Sequence, residues 1–282
     1  MVRARSHEGQ PDRDVDTVLQ PQPVENQPDG TMRLEDIAAA IKPDDPHFAR
    51  TRLIGLENTT GGKVLPLAYV REVAVLARSR GLLMHLDGAR LFNAAVEIAR
   101  QGSVESHNHG SGLGVSTDSL SHDEIVAAAR AVCSNFDTVS VCLSKGLGAP
   151  VGSVLVGSHA LVAVARRWRK VTGGGMRQAG ILAAAGLHAL DHHVPRLGDD
   201  HARAARLAAA LQGLAGVDAV AQHTNMVYVE IAPGRRARLR ELLEARQVRA
   251  SVGDTGPIRL VMHLDVDDVG VARVADAFAG LQ

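Results

Sequence analysis

The apolar positions of this chain fall into short runs separated by amphipathic stretches. Leu82-Leu83-Met84-His85-Leu86 and Val139-Ser140-Val141-Cys142-Leu143 are too short for helices and read as buried strands. Residues 51–56 and 151–156 read as two more strands. Pro66 opens a helix whose apolar positions Val70, Val73, Ala74 and Ala77 keep a helical period, and Gly81 closes it. A short helix fits 34–41 ahead of Pro43, and another runs from about residue 90 to 100. Ser121-His122-Asp123-Glu124 has capping-box spacing and starts the next helix. Helices over 161–170 and 176–188 flank the loop Thr172-Gly173-Gly174-Gly175. This rhythm predicts an α/β fold with a large, mostly parallel sheet and sites at the carboxyl ends of its strands.

Two stretches break the rhythm. Residues 1–33 are polar and rich in Pro, Gln and Asp, so they read as an extended or disordered lead-in. Gly, Ser, His and Asn dominate 101–120, which predicts a flexible insertion at about 101–122. From residue 196 the pattern changes to a helix over 199–214, a strand near 226–231, a helix near 236–246, a strand over 258–264 and a helix over 269–281. The expected organisation is a large domain over 34–195 and a small C-terminal α/β domain over 196–282.

Composition narrows the partners. Aromatic residues are only 2% of the chain, so the core must be built from Ala, Val and Leu. The formal net charge is zero and the basic residues form no stripe, which argues against nucleic acid or an anionic membrane as the partner. Cys133 and Cys142 give neither a disulfide framework nor a zinc signature. No apolar run is long enough to cross a bilayer, and the first residues lack the apolar core of a secretory signal. A cytoplasmic location is the expectation.

The candidate chemistry sits where two strands end. Asp87-Gly88-Ala89-Arg90 follows the first buried run and Ser144-Lys145-Gly146 follows the second. A carboxylate and an amine delivered from two strand ends can grip opposite ends of a pyridine cofactor. Lysine can form a Schiff base with pyridoxal 5'-phosphate, and aspartate can keep the ring nitrogen protonated. Taken singly, each has a plainer reading: Lys145 as a loop lysine, Asp87 as a helix N-cap, Arg90 as half of a surface ion pair. His47 is either a loop histidine or a proton acceptor near neutral pH. Arg259, inside the apolar run Ile258-Arg259-Leu260-Val261, is either an edge-strand residue or a bidentate carboxylate ligand. Lys170 and Arg177 bracket the triple-glycine loop and either grip an anion or solvate helix ends. Glu57-Asn58-Thr59 ends a strand and could line a pocket. Gly61-Gly62-Lys63 fails as a phosphate loop, because Val64 stands where Ser or Thr is required. His107, His109 and His122 have no fixed scaffold, and no metal site is expected.

Read together, LENTTGGKVLP, HLDGARLFNAA, VCLSKGLGAPVGS, RWRKVTGGGMRQAGILAAAG, TNMVYVE and IRLVMHLDV resemble the low-specificity L-threonine aldolases. These belong to the aspartate-aminotransferase-like class (fold type I) of pyridoxal-phosphate enzymes. The resemblance runs from about residue 20 to the C-terminus, interrupted near 101–122. It implies that Lys145 carries the cofactor, Asp87 pairs with the pyridine nitrogen and Arg90 lies near the phenolic oxygen. It further implies that Ser144 assists the phosphate, Arg259 binds the substrate carboxylate and His47 approaches the β-hydroxyl. Lys170 and Arg177 would stand at the mouth of the site, in a homodimer or homotetramer. The implied reaction is cleavage of L-threonine or L-allo-threonine to glycine and acetaldehyde.

Members of that family begin with a segment of roughly 90 residues, about the size of a small domain. No counterpart to it is visible in residues 1–19. The large domain is therefore expected to be incomplete at its N-terminus. That leaves two readings: an aldolase, or a catalytically impaired homologue acting as a binding partner or remnant.

Overall fold

The structure, a computed structural model, describes residues 2–4, 20–108 and 120–281. Its larger sheet contains β1 (Val2–Ala4), β2 (Gln22–Val24), β3 (Leu53–Glu57), β4 (Leu83–Gly88), β5 (Thr138–Cys142) and β6 (Ser153–Gly157). Their order is β2-β1-β3-β4-β5-β6, and every neighbouring pair is parallel except β5 with β6. Helices α1 (Leu34–Ala40), α2 (Leu67–Ser79), α3 (Leu91–Asn108) and α4 (His122–Cys133) make the crossovers up to β5. Only the turn at 143–152 joins β5 to β6. A turn of that length has no room for a crossover helix, so the pair is antiparallel.

Three helices follow: α5 (His159–Val171), α6 (Gly180–His192) and α7 (Leu197–Leu211). A second sheet then forms from β7 (Ala219–His223), β8 (Met226–Glu230) and β9 (Ile258–Val261), all antiparallel, with α8 (Arg236–Ala245) and α9 (Asp268–Ala279) completing the chain.

Aliphatic side chains build most of the interior, in keeping with the scarcity of aromatics. Val70, Val73, Ala74 and Ala77 of α2 pack with Ile54, Leu56, Met84 and Leu86 of the central strands. A separate cluster joins Ala204, Leu207 and Leu211 of α7 to Val227, Val229, Leu260 and Phe278. The capping box at α4 forms: Ser121 Oγ accepts from the Glu124 amide, and Glu124 Oε2 accepts from the Ser121 amide at 2.8 Å.

Three expectations need correcting. Part of the lead-in is ordered, because β1 and β2 pair with each other and β1 pairs with β3; residues 5–19 lie outside the described set. The expected insertion begins as helix: α3 continues to Asn108, since extending a formed helix adds a hydrogen bond for each residue fixed. Residues 109–119 lie outside the described set. The second sheet holds a strand the pattern missed, β7, whose weakly apolar AVAQH becomes a strand only by pairing with β8. The strand expected over 151–156 forms as β6, and its apolar residues lie open: Val154, Leu155 and Val156 are 42%, 41% and 52% exposed. α5 beside it buries none of its residues.

Candidate active site

The site grows from the carboxyl ends of β4 and β5. In register, Asp87 lies opposite Glu57 on β3 and opposite Ser140 on β5. Gly88 follows because the backbones are close: a Cβ there would lie 2.7 Å from the Ser140 carbonyl oxygen. The chain then turns into α3, and Asp87 Oδ1 accepts from the Ala89 amide at 3.0 Å. That bond fixes the carboxylate at the head of the helix and brings Arg90 round towards the second sheet.

Lys145 projects from the turn after β5. Gly148, with φ of +70°, lets the turn close, and its amide donates to the Lys145 carbonyl at 2.9 Å. The Ala149 amide donates to the Leu143 carbonyl at 2.9 Å, which ties both ends of the turn. Ser144 and Lys145 are exposed. Burial raises the Cys142 thiol pKa, but hydrogen bonds from Ser144 and Ser153 and the Lys145 charge outweigh it, for a net lowering.

A cavity of about 1020 Å³ opens between the two sheets and is walled by Glu57, Thr60, Arg90, Lys145, Tyr228 and Arg259, among others. An adjoining cavity of about 510 Å³ is walled by Arg90, Ser144, Lys145, Asn225, His263 and Asp265. The larger has the size of a small-molecule site. Arg90 is half-buried, and its pKa is lowered, first by desolvation and then by the charge of Arg259. Two guanidinium groups that repel each other across one cleft leave it strongly attractive to anions.

The fold thus brings together Arg90, Lys145 and Arg259, with Ser144 in the adjoining space. Asp87 sits beside them at the strand end but is not part of either cavity wall. Three sequence candidates stand apart. His47 is exposed, with Nδ1 2.7 Å from Asp45 Oδ1, and Lys170 and Arg177 are also exposed. The Gly61-Gly62 turn serves the contact between sheets: a Cβ on Gly62 would lie 2.7 Å from the His223 carbonyl oxygen, and Lys63 Nζ donates to the Pro28 carbonyl. His109 lies outside the described residues, and among the described residues no group of His, Cys, Asp or Glu is arranged to hold a metal ion. No helix among them is long and apolar enough to cross a membrane.

Sequence reasoning passed over Tyr228, Asn225 and the His263–Asp265 pair, because they reach the cleft only once β8 and β9 are paired. It also passed over His201, which is buried and lies 3.2 Å by its Nε2 from Asn93 Nδ2. Periodicity held that signal: Leu197, His201, Ala204, Leu207 and Leu211 share the buried face of α7.

An amine and a carboxylate at the carboxyl edge of a mostly parallel sheet, facing an arginine from the second, antiparallel sheet, define an α/β protein with a cationic cleft between its two sheets. Residues 15–233 match the family described as beta-eliminating lyase. The chain is 44% identical over 257 residues to the low specificity L-threonine aldolase of Escherichia coli, an overlap of 91% of this chain and 68% of that protein. It is 41% identical over 272 residues to low-specificity L-threonine aldolase 1 of Arabidopsis thaliana, covering 92% of this chain and 68% of that one. The solved structure of Leishmania major threonine aldolase superposes with a TM-score of 0.66 at 19% identity, over 93% of this chain and 70% of that chain. The chain belongs to the beta-eliminating lyase family, as a homologue of the low-specificity L-threonine aldolases.

Proposed function

We propose that the protein is a pyridoxal 5'-phosphate-dependent aldolase that cleaves L-threonine and L-allo-threonine to glycine and acetaldehyde. The observation that carries this reading is the convergence of Lys145, Arg90 and Arg259 on one cleft beside Asp87. The donor set suits the cofactor: an amine for its aldehyde, a carboxylate for its ring nitrogen, cations for its anionic oxygens. On this reading the cleft divides a cofactor-binding large domain, 34–195, from a small domain, 196–282.

When bound, the cofactor supplies an electron sink for the pair released as a bond to the substrate α-carbon breaks. The protein's own groups do the rest. Lys145 would hold the cofactor through its aldehyde, and its amine lies in the cleft where an amino-acid substrate would enter. Asp87, steadied by the Ala89 amide, keeps a proton on the ring nitrogen. Arg90 neutralises the phenolic oxygen, and the Ser144 hydroxyl donates to the phosphate. Arg259 would take the substrate carboxylate and so fix the orientation of the substrate in the cleft. His47 accepts the β-hydroxyl proton: Asp45 holds its Nδ1 and leaves Nε2 as the acceptor. This role requires the segment 43–50 to close over bound substrate. Lys170 and Arg177 would contribute positive charge at the mouth of a neighbouring subunit in a homodimer or homotetramer. The uncovered apolar residues of β6 and α5 support such an assembly.

A second reading is that the chain is a catalytically impaired homologue that acts through binding. The same exposed β6 and α5 favour it, together with an overlap of 68% with the curated relatives. One experiment separates the two. The chain is incubated with pyridoxal 5'-phosphate, fixed with borohydride and digested, and acetaldehyde release from both threonine isomers is followed in parallel. An adduct on Lys145 that is lost in Lys145→Ala, with acetaldehyde released, supports the aldolase. An adduct without acetaldehyde supports the impaired homologue, and no adduct on Lys145 overturns the assignment of that residue.

A further inference from the structure

The turn that carries Lys145 contains Gly146 and Gly148 and closes on itself through backbone hydrogen bonds from Gly148 to Lys145, from Ala149 to Leu143 and from Leu143 to Gly152. A reactive amine on such a turn needs an outside clamp, because glycine-containing turns hold many conformations at little cost. We propose that His193 is that clamp, a positioning residue that fixes the Lys145 turn through the Leu147 carbonyl.

His193 Nδ1 lies 2.6 Å from the Leu147 oxygen. A carbonyl only accepts, so His193 donates, and its proton must sit on Nδ1. The ring is itself well held. His193 is the C-cap of α6, its amide donates to Ala189 at 2.9 Å, and His188 meets its ring edge-on at 5.2 Å between centroids. The neighbouring glycines show how closely the turn is gripped. A Cβ on Gly146 would lie 2.8 Å from Leu197 Cδ2 and 3.1 Å from Asn93 Oδ1. A Cβ on Gly148 would lie 3.1 Å from Leu264 Cδ2 and 3.6 Å from His193 Nδ1. Packing from α3, α7 and the loop after β9 therefore limits where the turn can move, and the imidazole sets its orientation. The donor comes from the end of α6 just ahead of α7, so the placement of the amine is tied to the segment leading to the second sheet.

The importance of this clamp rests on Lys145 being the reactive amine, but the clamp can be tested without cofactor. Hydrogen exchange is measured by mass spectrometry on the 282-residue chain and on His193→Ala and His193→Asn. The asparagine amide can donate from about the same place as Nδ1. Loss of one hydrogen bond should speed exchange of the peptide covering 143–150 by roughly tenfold in His193→Ala, with distant peptides unchanged. His193→Asn should restore protection. Unchanged protection in the alanine variant would overturn the proposal. If the alanine variant fails to fold, the asparagine variant decides: protection like the parent supports the clamp, and a loosened turn overturns it. A second readout is the share of borohydride-fixed pyridoxal phosphate on Lys145 against Lys42, Lys63 and Lys170, which should fall in His193→Ala and recover in His193→Asn. No preference for Lys145 in the parent chain would remove the cofactor assignment while leaving the exchange result to judge the clamp.

Discussion

Tyr228 ties the smaller sheet to the larger through the backbone of Gly61: its hydroxyl donates to that carbonyl at 3.0 Å. Arg259 lies directly opposite Tyr228 across β8 and β9, so the bond also sets how far Arg259 stands from Arg90. Thr224 makes a parallel tie, donating to the Gly62 carbonyl at 2.9 Å. The geometry of the cleft is thus fixed by backbone contacts of a turn that looks, in sequence, like a failed phosphate loop.

Tyr228→Phe removes that donor and leaves the ring in place. Stability should fall by about 1 kcal/mol, the usual net value of one hydrogen bond. Urea unfolding checks it, and an unchanged midpoint would mean that water or another donor serves Gly61 equally well.

Arg259→Lys keeps the charge but loses the planar fork. If Arg259 binds the substrate carboxylate, amino-acid affinity should weaken by about tenfold or more while the fold is retained. Titration of the cofactor-loaded protein with glycine, read by visible absorption, measures this. Equal affinity would rule out a bidentate role.

His201 links stability to pH. Burial, aided by the Arg100 charge, lowers its pKa from 6.5 to about 3. The folded state therefore keeps it neutral while the unfolded chain takes up a proton below about pH 6.5. This contribution is fully present above that pH and is lost progressively as pH falls towards the folded value. It should amount to about 2 kcal/mol between pH 6.5 and pH 5. Asp200 opposes it in acid, because burial raises its pKa despite Arg196. Unfolding of the parent and of His201→Gln at matched pH isolates the histidine, and the variant should show the flatter profile.

Gly88→Ala would force a Cβ to 2.7 Å from the Ser140 oxygen and 3.3 Å from Leu91 Cβ. Both are fixed, one by the strand and one by the helix. A loss of about 2 kcal/mol or more is expected, with β4 and β5 pushed apart beside Asp87. Normal stability in thermal melts would show that the strands yield easily.

Trp168 is the chain's one tryptophan and is 62% exposed on α5. Its fluorescence should be red-shifted and readily quenched by acrylamide in the isolated chain. A blue-shifted, protected signal would report that assembly covers this face.

The site was legible in sequence where chemistry is local. The apolar runs that become β4 and β5 put Asp87 and Lys145 at neighbouring strand ends, and the residues around them carried the family resemblance. Arg259 drew notice as a charge in an apolar strand. His47, Lys170 and Arg177 were offered by type and spacing too, but none of the three walls the cleft shared by Arg90, Lys145 and Arg259, and nothing local could show which residues that cleft would gather. His201 and His193 looked ordinary, because their roles depend on contacts with Asn93 and Leu147, which are 108 and 46 residues away.

By itself, then, the sequence determined the periodic elements, the α/β class and the chemistry offered at two strand ends, since these depend on spacing within single elements. Tertiary structure alone decided that Arg90 and Arg259 face one cleft, that the second sheet is antiparallel with an extra strand, and that β6 stands uncovered. Those outcomes depend on which distant segments pair and which surfaces find a partner, and the period of a hydrophobic pattern records neither.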